Sequence, residues 1–227
     1  MDKTPEAISP SPSLNWRHVV IALVVLGSLA TILIVWPPFG QYQEYHNFVD
    51  KRPLAGIPNF GDVASNLAFL LVGIAGLITC FTRRLGPMHA AWVVMFAGIA
   101  AVGVASSYYH WEPNDTTLVP DRITLTVGFM GLFVALLGEY ISERLRILLV
   151  PATVIGAGSV LYWSWFQDLR FYYWVQMMPL LVIPVLILLY RPRYTHGWLI
   201  FAGAIWYGLA KLTELWDRPI FEATAGI

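Results

Sequence analysis

Charge is scarce in this chain. Only 12% of its 227 residues are Asp, Glu, Lys or Arg, about half the roughly 25% of a soluble domain, which excludes a surface hydrated all round. Basic excess is missing as well. The 14 basic residues match 14 acidic ones, and without a positive patch nucleic acid is excluded as a partner. Cysteine is reduced to Cys80, so no intrachain disulfide can form, and its place inside an apolar run assigns it to packing. Strand-length alternating segments are lacking, which sets aside a transmembrane barrel.

What is there is apolar: 57% of residues are hydrophobic and the mean hydropathy is +0.62. Seven stretches, at 18–36, 62–82, 88–110, 121–140, 146–166, 171–190 and 196–216, approach the ~20 apolar residues that cross a bilayer. Backbone amides in lipid must be bonded within the chain. The expected fold is therefore all-α, a multi-pass transmembrane helical bundle of seven spans. The first stretch exceeds the ~7–15 residues of a signal-peptide core and lacks a small-residue cleavage site, so it reads as an uncleaved anchor. Only 37–61 is a long connection. Gly73, Gly76, Gly98, Gly103, Gly128, Gly131, Gly156 and Gly158 are expected to let helices approach closely.

Topology follows from where Lys and Arg fall, since cytoplasmic segments hold the excess. Lys3, Arg17, Arg83, Arg84, Arg144, Arg146, Arg191 and Arg193 fall on one side; Lys51, Arg52, Arg122, Arg170, Lys211 and Arg218 fall on the other. Eight against six places the N-terminus in the cytoplasm.

The chemistry-bearing residues gather on the side facing away from it, in "SSYYHWEPNDTTLVPDR" at 106–122. Ser106 and His110 are four apart, on one helical face. "EPND" then reads as a breaker, Asp121 as the start of the next helix, and an antiparallel return brings Asp121 back to the level of His110. Such a cluster suits metal-assisted hydrolysis, in which imidazole binds Zn²⁺, the metal acidifies a water and a carboxylate takes the proton. Ser106 would donate to a developing oxyanion. A serine-nucleophile triad competes, but there is no GxSxG turn; a bare interfacial Ser and His is the plainer alternative.

Lys211, Glu214 and Asp217 recur every three residues in "GLAKLTELWDRPIF". They read either as an intrahelical Lys211–Glu214 pair at the membrane edge or as a polar wall of the same cavity. His46 in the long connection is the one other histidine able to reach His110, or else a solvated loop residue. His18, His89 and His196 fall on the cytoplasmic side. Asp168 and Arg170 suggest an interfacial ion pair, and Gln176 a bond across helices.

The segments "GIPNFGDVASNLAFLLVG" (56–73), "SSYYHWEPNDTTLVPDR" (106–122), "DLRFYYWVQMMP" (168–179) and "YGLAKLTELWDRPIF" (207–221) together resemble the alkaline ceramidase family, most closely its bacterial ceramidase-like branch. The wider superfamily includes adiponectin-receptor-like proteins. The resemblance spans roughly residues 42–222 and implies an integral-membrane hydrolase cleaving ceramide to sphingosine and a fatty acid with Zn²⁺ held by three histidines. By that resemblance His110 is a zinc ligand, Ser106 stabilises the oxyanion or orients the water, and Asp121 assists proton transfer. The partner is then a membrane lipid, ceramide or a related acylated lipid entering from the bilayer, and the setting is the plasma (inner) membrane.

Two departures qualify the resemblance. The family's other two zinc ligands form a His-x-x-x-His motif on its last helix, and this chain contains no such motif. Residues 1–16 then read as a polar tail, 17–36 as an extra helix, 37–61 as the outer connection, 62–222 as the ceramidase-like domain and 223–227 as a shortened end. The expectation is a truncated form of an eight-helix protein, poor in zinc and nearly inactive. The acidic calcium site of animal members is not matched by Asp50 and Asn59, so calcium is not expected. Two rivals are a non-catalytic lipid-binding or receptor-like member and a small transporter, the latter without the internal repeat it calls for.

Overall fold

The computed structural model describes residues 15–83, 85–190 and 197–224. Lys3, Arg84, Arg191, Arg193, His196, most of the polar tail and residues 225–227 lie outside the described residues, and so do their expected roles.

Among the described residues the chain is helical: α1 (Trp16–Val35), α2 (Phe60–Ser65), α3 (Leu67–Thr82), α4 (His89–Trp111), α5 (Asp115–Tyr140), α6 (Leu149–Phe166), α7 (Arg170–Leu189), α8 (Trp198–Leu215) and α9 (Asp217–Ala223). Six of the resulting spans are long and apolar enough to cross a membrane: Trp16–Val35, Phe60–Thr82, Gly86–Trp111, Asp115–Tyr140, Glu143–Phe166 and Arg170–Leu189. The expected seventh stretch is helical as α8, an 18-residue helix that carries Lys211 and Glu214 in its last two turns.

α5 is the hub. Of an 18-residue window in it 61% is buried, against 6% in α1, and it packs on α4, α6 and α7. Glycine makes the α4–α5 crossing possible: a Cβ on Gly98 would stand 2.6 Å from the Gly128 Cα, and one on Gly131 2.6 Å from the Met95 backbone nitrogen. Backbones this close leave no room for a side chain. Gly158 differs from expectation, for a Cβ built on it would meet nothing within 4 Å. Cys80 is buried, as packing demands.

Helix boundaries differ from the sequence reading in two places that matter. α5 starts at Asp115 rather than Asp121, because Asn114 forms a capping box with Thr117: its side chain accepts from the Thr117 N–H at 3.0 Å while Thr117 Oγ1 accepts from the Asn114 N–H at 3.2 Å. "EPND" ends one helix and begins the next. Asp121 therefore sits in the second turn, one residue past Pro120, a proline inside the helix.

The second difference is at Trp216. α8 ends at Leu215 and Asp217 opens α9, so Asp217 does not continue the helical side of Lys211 and Glu214. Pro219 supplies the reason: it has no N–H to extend the ladder but is tolerated in a first turn.

Candidate functional site

The last turn of α4 and the second turn of α5 meet across the short link at Glu112–Asn114. Ser106 is buried on α4, and its hydroxyl faces the Asp121 carboxylate of α5 as a donor. His110 lies one turn beyond Ser106. Its Nδ1 is buried and has no hydrogen-bond partner, while its ring packs 4.7 Å from Phe48 and 5.1 Å from Tyr109. All three side chains line one cavity of about 1060 Å³, just above the ~300–1,000 Å³ usual for ligand sites. The structure thus brings together Ser106, His110 and Asp121.

The connection between α1 and α2 is bolted over this end of the bundle. His46 bonds the Tyr109 hydroxyl through Nδ1 and Asp115 through Nε2, each at 3.0 Å. Both ring nitrogens are occupied, and His46 is therefore a clamp rather than a partner of His110. Asn59, in the left-handed region at φ 45°, donates to the His110 carbonyl at 2.8 Å. Asp50 and Arg52 pair at 2.6 Å, and hydrogen bonding to that guanidinium pulls the Asp50 carboxyl down to about 2.

α8 supplies a second wall. Lys211 and Glu214 form the intrahelical pair at 2.6 Å, and both also line the cavity with Asp217, so the two readings of this cluster hold together. Glu214 further accepts from the Tyr45 hydroxyl at 3.3 Å. Gln176 of α7 is buried and lines the cavity with Tyr207 of α8, but the Tyr207 hydroxyl has no hydrogen-bond partner among the described residues. Asp168 and Arg170 pair at 2.8 Å, and Arg170 reaches the Leu33 and Trp36 carbonyls at 3.2 and 3.1 Å, holding the end of α1. That guanidinium keeps Asp168 below the usual carboxylate range.

His89 opens α4 and His110 stands in its last turn, so the helix keeps them at opposite ends. His18 lies in the first turn of α1 and away from the cavity.

A zinc ion asks for three protein ligands with one open position. The unpartnered His110 Nδ1 is one such donor, but among the described residues no three His, Cys, Asp or Glu side chains stand together to hold a metal. These residues do not fit a catalytic zinc by themselves.

Sequence reasoning missed the surroundings of Arg122, which it counted only among the basic residues of the outer side. Its guanidinium sits 4.3 Å from the Trp163 ring, 4.7 Å from Tyr172 and 5.8 Å from Tyr45. No local pattern signals this, since the three rings come from three separate elements, the connection before α2, the end of α6 and the start of α7. No protein-family model, curated protein or solved structure matches the chain.

Proposed function

We propose that the chain is a membrane-embedded hydrolase of ceramide-type lipid amides, acting at the cavity between α4, α5, α7 and α8. One observation carries this reading: Ser106, His110 and Asp121 line one cavity, with Ser106 bonded to Asp121, and its other walls include Phe69, Met95, Ile99 and Leu125. Such a space suits a molecule with a polar amide and long acyl chains, entering between helices from the bilayer. The ceramidase resemblance supplies the substrate class.

Within that site each residue has a role set by its geometry. Asp121 is the proton acceptor for an attacking water, a function general bases fill when held within hydrogen-bond reach. Ser106 has one proton and turns it toward Asp121, so it orients the carboxylate and becomes free to serve an oxyanion when Asp121 takes a proton. His110, whose buried Nδ1 has no partner among the described residues, lines the same cavity and would bind the substrate's polar group. The membrane is the plasma (inner) membrane, with the N-terminus cytoplasmic and the cavity opening on the other face.

The test uses the full chain in lipid nanodiscs with ceramide labelled on its acyl chain. We expect saturable ceramide binding and slow fatty-acid release, with release abolished in Ser106→Ala and Asp121→Asn. Release that these variants leave unchanged, or no saturable binding at all, overturns the proposal. A second reading, a lipid-binding member without hydrolysis, is favoured by the single imidazole at the site; binding without release identifies it.

A further inference from the structure

Arg122 is 4% exposed and lines the cavity from α5. A guanidinium is charged at every accessible pH, and a charge inside a membrane bundle is expensive unless paired. Yet none of the four ion pairs among the described residues includes Arg122. Its Nη2 donates to the Gln41 side-chain oxygen at 2.6 Å, and its Nη1 is buried with no acceptor. The rings of Trp163, Tyr172 and Tyr45 hold the plane by cation–π contact without supplying a counter-charge.

The nearby acids are otherwise engaged. Asp121 attracts Arg122 from the adjacent position but faces Ser106, and Glu214 is occupied by Lys211 and Tyr45. Asp62 and Asp217 repel each other elsewhere on the cavity wall. A fixed, pre-oriented fork with an unused donor is the arrangement that takes an oxyanion.

We propose that Arg122 receives the oxyanion of an anionic lipid, a carboxylate or a phosphate monoester on an acyl chain, lying in the cavity. The boxed guanidinium selects charge while the apolar walls take the chain. This assignment rests on Arg122 alone and holds whether or not the protein cleaves an amide.

Thermal unfolding of the purified full chain in neutral detergent tests it, with titrations of oleate, oleoyl lysophosphatidate and uncharged monoolein. At least one anion is expected to protect at a concentration at least ~10-fold lower than monoolein, and which one identifies the headgroup. Arg122→Gln should bring that ratio to within ~2-fold, and Arg122→Lys, which keeps the charge and loses the fork, should fall between. Arg146→Gln, in the segment before α6 and outside the cavity lining, should leave the ratio unchanged. Equal protection by anions and monoolein in the wild-type protein overturns the proposal even if Arg122→Gln does not fold. So does a preference that Arg122→Lys and Arg146→Gln reduce equally.

Discussion

The α4–α5 corner and the α8–α9 segment both line the cavity, yet they are built differently. α5 contributes fourteen buried residues and crosses α4 at glycines too close for a side chain. α8 and α9 bury none, and their charges are half open, Lys211 at 41% and Glu214 at 45% side-chain exposure. An ion pair that exposed contributes about 0–1 kcal/mol. Positional accuracy therefore resides on the α4–α5 wall, where Ser106 faces Asp121, and the α8 wall can shift without disturbing them.

The largest test of that contrast is steric. Gly98→Leu should destabilise the protein by about 3 kcal/mol, in line with overpacking a filled interior, and lower its melting temperature in detergent by roughly 6–12 °C. A Cβ on Gly208 in α8 meets nothing within 4 Å, and Gly208→Leu should leave melting nearly unchanged. Equal losses at the two sites would erase the distinction between the walls.

α1 sharpens it. This helix is as exposed as α8 but is tied down by the buried Asp168–Arg170 pair. Asp168→Asn should cost about 1.5–2 kcal/mol, the scale of a charged hydrogen bond. Because the Asp168 carboxyl is held below its ordinary 3.8, its contribution is complete above that pH and fades as pH falls through the folded-state value. Melting followed from pH 6 to pH 3 should show a decline in the wild-type chain that Asp168→Asn lacks in part.

The smallest effect belongs to Tyr45, whose hydroxyl is the hydrogen bond from the long connection to Glu214. Tyr45→Phe should lower stability by about 0.5–1 kcal/mol. Hydrogen exchange should rise in α8 and not in α5. A rise in both would mean the two walls move as one.

Much of this architecture was legible in the chain. The stretch read at 18–36 became Trp16–Val35, that at 171–190 became Arg170–Leu189, and that at 88–110 became His89–Trp111, because a run long enough to cross lipid has few alternatives to a helix. The start of α5 was obscured because "EPND" carries both a stop and a start, and the proline at 120 hides the helix that runs through it. The pairing of Ser106 with Asp121 could be anticipated from an i, i+4 face and an antiparallel return. The aromatic box of Arg122 could not, since Tyr45, Trp163 and Tyr172 meet only after three separate elements have packed.

Fatty-acid release from labelled ceramide, compared between the wild-type chain, Asp121→Asn and Asp50→Asn, tests the central claim most directly. Asp50 is bound to Arg52 outside the cavity, so its substitution should change the rate by less than ~2-fold. Asp121→Asn should reduce it by at least ~100-fold, the scale of a lost general base. A wild-type chain that releases no fatty acid, or an Asp121→Asn chain that matches it, contradicts the account.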